Sequence, residues 1–318
     1  MKTILGTMTF SDQVDREGSI KMIQAFLQEG YNELDTAYVY NKGKTEELLG
    51  DIGNEGFLDG TLLAGKINPA GGGLTPSAVD HQVTTSLQRV GRDKFDLLYL
   101  HSPDLDTPIE TTLSAVHKHY EAGRFTHFGL SNYAAWQVAE IAELCQRNGW
   151  MQPSVYQGMY NALTRDVESE LFPCLTNYGM GFYVYNPLAG GMLSGKHQSF
   201  EAAPPDGRFN ANASYVDRYW KQSYFDVINR WANLCREHSI KPATAALRWL
   251  RHHSKLASTD AEQGGQQQHA ILLGASSQSH LEQNLQACKE DALPQAIVDA
   301  LDEGWETVRP SCIKYWRP

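Results

Sequence analysis

The feature that most limits how this chain can fold is a rhythm. Short apolar runs alternate with longer amphipathic stretches from the N-terminus almost to the end, which is the signature of strand–helix units. The runs are Ile4–Met8, Tyr31–Asp35, Thr61–Lys66, Phe95–His101, Arg124–Asn132, Ser154–Gln157, Gly181–Tyr185 and Ala270–Gly274. Helical stretches are expected over Arg16–Glu29, Lys44–Gly53, Pro76–Val90, Pro108–Glu121, Ala134–Arg147, Val167–Asn177, from near Trp220, and over Ser279–Lys289. In the third of these, Thr75 stands as N-cap and Pro76 in the first turn, where a missing N–H costs nothing. Eight such units in 318 residues, roughly 25–35 residues apart through the first seven, predict an α/β protein: a single-domain (β/α)8 TIM barrel over residues 1–318. No G-x-G-x-x-G follows the first strand, so the usual dinucleotide fingerprint is absent, and Gly71–Gly73 lacks the lysine of a P-loop and reads as a plain loop.

Two segments break the rhythm. Residues 186–219 are rich in Gly, Pro and Asn and follow the seventh strand, so they are expected to form a lid at the catalytic rim. Residues 254–269 precede the eighth strand and read as a mobile surface loop at the opposite rim, without chemistry. A C-terminal tail is expected over about 305–318.

The strand ends carry the chemistry. Asp35 closes the second run, Lys66 the third and His101 the fourth, with Tyr40 on the loop above Asp35. Taken singly, each has a plainer role: Asp35 as a helix cap, Lys66 in a rim salt bridge, His101 as a core histidine. Together, at the C-terminal rim of a barrel, they form a proton-transfer site. Tyr40 is the proton donor, Lys66 beside it favours phenolate and lowers the phenol pKa, Asp35 keeps Lys66 charged, and His101 orients a carbonyl. A carbonyl protonated on oxygen needs hydride on carbon, and a nicotinamide is the economical source. Ser131, Asn132 and Gln157 suit its carboxamide, and Tyr185 its ring. The glycines of NPLAGGMLSGK (Gly190, Gly191, Gly195) let the backbone approach a pyrophosphate, with Lys196 and Arg208 as nearby cations.

Composition narrows the partners. A net charge of −10 argues against nucleic acid or an acidic membrane surface. Five scattered cysteines, with no CxxC and no Cys/His cluster, predict free thiols in a reducing compartment and no metal site. With neither a signal peptide nor an apolar run long enough for a membrane helix, a cytoplasmic protein is expected.

D-T-A-x-x-Y followed by E-x-x-L-G, a lysine-ended third strand, a histidine-ended fourth strand and SNY after the fifth resemble the aldo-keto reductases, over nearly the whole chain. DLLYLHSPD, GLSNYAAWQVAEI, YQGMYNALTRDVESELFPCL, YNPLAGGMLSGK and LEQNL resemble the aflatoxin-aldehyde and succinic-semialdehyde reductase subfamily. The resemblance implies NADPH-dependent reduction of small aldehydes (dialdehydes, succinic semialdehyde, aromatic aldehydes) by the tetrad Asp35, Tyr40, Lys66 and His101. It implies that Asp35, Ser131, Asn132, Gln157, Tyr185, Asn186, Pro187, Leu188, Ala189, Gly190, Gly191, Met192, Leu193, Ser194, Gly195 and Arg208 hold the cofactor. Ser276, Ser277, Gln278, His280, Gln283 and Asn284, opening the eighth helix, would hold its adenosine 2′-phosphate end, as a helix N-terminus suits a phosphate. Many relatives carry arginine where His280 stands. Around the far end of the substrate it places His101, Tyr215, Arg218 and Arg317, and arginine grips a carboxylate with two parallel hydrogen bonds. A homodimer is the expectation for the subfamily. The alternative is a slow or non-catalytic NADPH-binding regulatory subunit, like the channel β-subunits of the superfamily; the complete tetrad favours catalysis.

Overall fold

Eight parallel strands, hydrogen-bonded in chain order, close into a barrel in the computed structural model of the protein, which describes residues 1–197, 199–201, 208–211, 213–257 and 268–317. They are β1 (Lys2–Gly6), β2 (Glu33–Asp35), β3 (Leu62–Ile67), β4 (Phe95–Leu100), β5 (Phe125–Ser131), β6 (Pro153–Met159), β7 (Gly181–Tyr185) and β8 (Ala270–Leu273). Around them run α1 (Arg16–Gln28), α2 (Lys44–Asn54), α3 (Pro76–Val90), α4 (Ile109–Glu121), α5 (Ala135–Asn148) and α6 (Leu171–Asn177). Between β7 and β8 come α7 (Arg208–Ala211), α8 (Ala213–Tyr219), α9 (Gln222–Glu237) and α10 (Pro242–His252), and after β8 come α11 (Gln278–Ala287) and α12 (Gln295–Val308). The expected (β/α)8 barrel is the observed fold.

Because side chains alternate along a strand, each strand feeds two cores. Ile4, Ala64, Leu97, Tyr99, Val155, Tyr183, Ala270 and Leu272 fill the barrel interior. Their neighbours Leu5, Leu63, Leu98, Val184 and Ile271 face outward into the larger core beneath the helices. Glycines let rings lie against the barrel wall: a methyl on Gly129 would meet the Tyr99 ring at 2.5 Å. The third helix starts as its sequence indicates, with Thr75 Oγ1 accepting from Ala78 N (3.3 Å), and stops at Gly91, whose φ of 64° suits glycine.

Several boundaries differ from expectation. The first strand is Lys2–Gly6, not Ile4–Met8, and its polar start is what hides it. Lys2 N donates to His269 O (2.8 Å), while Thr7 has already turned to donate from N and Oγ1 to Asp35 O (3.0 and 2.9 Å). The helix after β6 is split into a 3-10 turn (Asp166–Glu168) and α6, with Pro173 inside the latter. Two helices, α10 and α12, stand where none was assigned, and α12 shortens the expected 305–318 tail because its stripe Ile297, Val298, Leu301, Trp305 and Val308 is buried. The 186–219 segment carries a 3-10 turn (Ala189–Ser194) and α7 and α8 rather than bare loop. Its residues 198, 202–207 and 212, and residues 258–267 of the loop before β8, lie outside the described residues. All five cysteines are free, and no helix among the described residues is long and apolar enough to cross a membrane.

Helix α2 packs on the C-terminal end of α3 so closely that a Cβ on Gly50 would lie 2.1 Å from the Arg89 carbonyl oxygen, a backbone atom with no room to yield. Gly50→Ala is therefore expected to destabilise the fold by about 1–3 kcal/mol, the overpacking range, against the roughly 1 kcal/mol that alanine ordinarily contributes inside a helix. A lower urea midpoint with unchanged slope would show it; a midpoint equal to the parent's would mean that α2 shifts freely.

Candidate active site

The centre of the C-terminal rim is one buried ammonium. Lys66 lies on β3 in the same alternating row as Ala64, so it points into the barrel, where 1% of its surface is exposed. Its Nζ is paired with Asp35 Oδ1 and donates to Thr36 O (2.7 Å) and to Tyr40 Oη (3.4 Å), so its three hydrogens are all placed. The other carboxylate oxygen of Asp35 accepts from Gln157 Nε2 (2.8 Å), which arrives from β6. Burial would strip the proton from Lys66, but the Asp35 carboxylate and the Tyr40 phenol outweigh it together and leave its pKa above the ordinary lysine value. Nζ also lies 5.0 Å from the centre of the Tyr40 ring and 5.8 Å from that of Tyr99.

Tyr40 opens the turn between β2 and α2. Its pKa stands above the usual phenol range, because burial outweighs the pull of Lys66 in the other direction. The expected lowering by Lys66 is present but is the smaller effect. The consequence is a phenol that stays protonated at neutral pH. His101 follows the last residue of β4, held by its own N–H on Ile67 O (2.9 Å), and its ring meets Tyr40 edge-on at 5.9 Å and 83°. Burial, with Lys66 and Arg317 nearby, pushes His101 well below the ordinary histidine value, so its imidazole is neutral, and its buried Nδ1 has no partner among the described residues. Such a ring donates one hydrogen bond without competing as an acid.

The residues expected at a carboxamide meet on the neighbouring strand ends. Ser131 pairs in register with Gln157. Asn132, in the left-handed region at φ 65°, donates from Nδ2 to His101 O (2.8 Å) and Ser131 Oγ (2.9 Å), and its Oδ1 accepts from Tyr185 Oη (2.7 Å). Asn186, also left-handed, accepts on its carbonyl from Asn161 (3.0 Å) and on Oδ1 from Tyr215 Oη (3.1 Å), while its own Nδ2 is buried without a partner among the described residues. After Pro187 and Leu188 the 3-10 turn buries the side chains of Ala189, Met192 and Leu193, so it presents backbone, with Ser194 Oγ returned to Gly191 O (2.6 Å). The three glycines serve different ends. A Cβ on Gly190 would strike the Tyr215 ring (2.5 Å) and one on Gly195 would crowd Pro242 (3.1 Å), whereas among the described residues nothing lies within 4 Å of one on Gly191.

At the head of α11, Ser277 caps the helix by accepting from His280 N (3.3 Å), and Ser276 Oγ lies 3.3 Å from His280 Nδ1. Gln278, the first helical residue, and Gln283 bond along the helix to Glu282 and Ser279, and Asn284 is largely buried. The first N–H groups of this helix have no acceptor inside it, which suits a phosphate.

Arg208 opens α7, and its side chain lies outside the described residues. Arg218, on α8, holds its guanidinium 5.2 Å over the Tyr215 ring. Arg317 donates from its backbone N to Asn132 O (3.0 Å), and the tail before it is pinned by Tyr315 Oη, which accepts from Ala135 N (3.0 Å) and donates to Glu170 (2.8 Å). Burial raises the Tyr185 phenol, and both arginines partly offset that rise; Arg317 also acts on His101. Sequence reasoning passed over Tyr99, two residues before His101 and on the same face, and Arg89, which reaches the Tyr40 turn from α3. A groove of about 1100 Å³ lined by Arg165, Trp249, Lys255 and Asp302 contains none of the expected site residues. Among the described residues no group of three or more His, Cys, Asp or Glu is arranged to hold a metal.

Known proteins resemble the chain throughout. The model of the aldo/keto reductase family matches residues 2–306. Aflatoxin B1 aldehyde reductase member 2 of Mus musculus is 44% identical over 99% of this chain and 87% of its own length. Aldo-keto reductase family 7 member A3 of Homo sapiens is 43% identical over 99% of this chain and 97% of its own.

The depressed pKa of His101 has a direct readout. Its imidazole is expected to remain neutral from pH 8 down to well below the ordinary value of about 6.5. Carbon-13 shifts of the labelled ring, followed through that range, test this; a midpoint at or above the ordinary value would contradict it.

Proposed function

The chain belongs to the aldo/keto reductase family, and we propose that it reduces aldehydes to alcohols with NADPH, with Tyr40 delivering the proton. One observation carries this reading: a single buried ammonium, Lys66, touches both the Asp35 carboxylate and the Tyr40 hydroxyl. When bound, the nicotinamide supplies the hydride that the carbonyl carbon accepts. Everything else falls to the chain. Tyr40, protonated through burial, gives its proton to the carbonyl oxygen as charge develops there. Lys66 stabilises the phenolate left behind, and Asp35 holds Lys66 in place. Neutral His101 donates a hydrogen bond to the same oxygen and orients it.

For the cofactor, Ser131, Asn132 and Gln157 take the carboxamide, and Tyr185 lies against the ring. The backbone from Asn186 to Gly195, open at Gly191, takes the pyrophosphate together with Arg208. The head of α11, Ser276 to Asn284, takes the adenosine 2′-phosphate, with the capped N-terminus and His280 as its donors. These residues fit such a ligand because the N–H groups of Gln278 and Ser279 at the helix start have no acceptor among the described residues, and Gly191 is uncrowded.

The substrate class is short aldehydes, including dialdehydes, aromatic aldehydes and those bearing a carboxylate, such as succinic semialdehyde. Two relatives above are named as aldehyde or aldo-keto reductases, and Arg218 and Arg317 supply cations in an otherwise acidic protein.

Replacing Tyr40 by Phe is expected to lower kcat at least ~100-fold, the lower range for loss of a general acid. Binding of NADPH, followed by fluorescence titration, should hardly move. Near-parent turnover on 4-nitrobenzaldehyde would refute the assignment.

Arg218→Ala and Arg317→Ala should each raise KM for succinic semialdehyde by the equivalent of ~1.5–3 kcal/mol, the range for a hydrogen bond to a charged group. Butanal, which lacks the carboxylate, should be indifferent to both. Equal losses on the two aldehydes would show that the arginines only support the fold.

A further inference from the structure

The turn that carries Tyr40 is not a resting conformation of the backbone. Asn41 and Lys42 both occupy the left-handed region, at φ 49° and 59°, and Gly43 follows at φ 92°. Two consecutive side chains in that region persist only where the surroundings impose them. One restraint ties the turn to the segment after β1: the two hydrogens of Asn41 Nδ2 are shared among Phe10 O (2.7 Å), Met8 O (3.2 Å) and Thr45 Oγ1 (3.1 Å).

The other comes from a different helix. The Arg89 guanidinium, in the last turn of α3, donates from Nη1 to Tyr38 O (3.4 Å) and Glu46 Oε2 (3.2 Å). It lies 4.9 Å over the Tyr38 ring, and it packs so tightly on Gly43 that a Cβ there would be 2.4 Å from Cζ. Tyr38 N in turn donates to the carbonyl of Lys66 (3.0 Å). Arg89 therefore grips the chain two residues before Tyr40 and three after it, and the first grip leads straight to the backbone of Lys66. Glu46, its partner on α2, is wholly buried, and burial raises its carboxyl pKa; Ser86 and then Arg89 oppose that rise, and Arg89 is the charge paired directly with it. Burying an ion pair is no route to stability where apolar side chains would pack as well, which directs attention to what the pair holds in place.

We propose that Arg89, anchored by Glu46, is a positioning residue that sets the Tyr40 hydroxyl against Lys66. The proposal rests on the reading of Tyr40 as proton donor. The gap between the two catalytic groups is 3.4 Å, the outer limit of a hydrogen bond, so a small displacement of the turn breaks the contact. Lysine cannot replace the arginine here, because one ammonium cannot lie flat on a ring, reach two acceptors and fill the space beside Gly43 at once.

The test is a double-mutant cycle read as the single-turnover rate of NADPH oxidation. Arg89→Lys retains a charge for Glu46 and is expected to slow the step roughly 10- to 100-fold, the scale of a small misplacement of reacting groups. The KM for aldehyde and the Kd for NADPH should stay within about twofold, since neither ligand is held by Arg89. In a Tyr40→Phe background the same substitution should change the rate by less than about twofold, because the group it acts through is gone. The same rate factor in both backgrounds, or an unchanged rate in folded Arg89→Lys, would overturn the proposal. A Tyr40→Phe enzyme that keeps the parent rate would instead overturn the proton-donor reading. Should Arg89→Lys fail to fold by circular dichroism, Gly43→Ala, which presses a methyl onto the guanidinium and leaves both charges, takes its place in the cycle with the same criteria.

Discussion

The ion pair between Asp35 and Lys66 is the constraint around which the rim of this barrel is built. Taking both groups out of water costs several kcal/mol per ion, and their attraction offsets this only when the remaining polar atoms also find partners. Here they do. Thr36 O and Tyr40 Oη complete the ammonium, and Gln157 completes the carboxylate. Each completing partner belongs to a different element, so the pair draws β2, β3, β6 and the Tyr40 turn to one point. The barrel makes this possible through its register. Asp35 pairs with Ala64, two residues before Lys66, so the lysine rises above the carboxylate instead of lying beside it.

Burial acts on three neighbouring groups in different senses, and the results agree with one another. It raises the Tyr40 phenol and depresses the His101 imidazole, while for Lys66 it is overcome by Asp35 and Tyr40. At neutral pH the site thus holds one compensated charge pair and two neutral hydrogen-bond donors. Within the tetrad no net charge has to be solvated, and on the proposed function the developing oxyanion would meet donors already aimed.

Much of this was legible because a polar residue that ends an apolar run must sit at a strand terminus. Asp35, Lys66 and His101 are read that way, with Tyr40 on the loop just above Asp35, and the family motifs point to the same four. What was not legible depends on distance along the chain. Lys2 and Thr3 look like loop until it is seen that Lys2 reaches Glu33 (3.6 Å) and Thr3 is buried in the barrel wall. The α12 stripe Ile297, Val298, Leu301, Trp305 and Val308 carries a helical period of its own. The sign of the Tyr40 shift follows from how deep the phenol lies, which no local pattern encodes. Nor does any local pattern join Arg89 to a turn some fifty residues earlier; only the packing of α3 on α2 brings them together.

The way Lys66 is satisfied has a chemical consequence beyond proton transfer. Aldehydes condense with amines, and a lysine in the path of a carbonyl is ordinarily a candidate for a Schiff base. That reaction requires an unprotonated amine with its lone pair turned to the carbonyl carbon. At the ordinary lysine value fewer than about one amine in a thousand is in that form at pH 7, and here Asp35 and Tyr40 reduce the fraction further. The three hydrogens point at Asp35, Thr36 and Tyr40, so a lone pair could appear only by breaking one of those bonds. On the proposed function, the protein thereby carries at its centre a lysine held in the form that aldehydes do not attack.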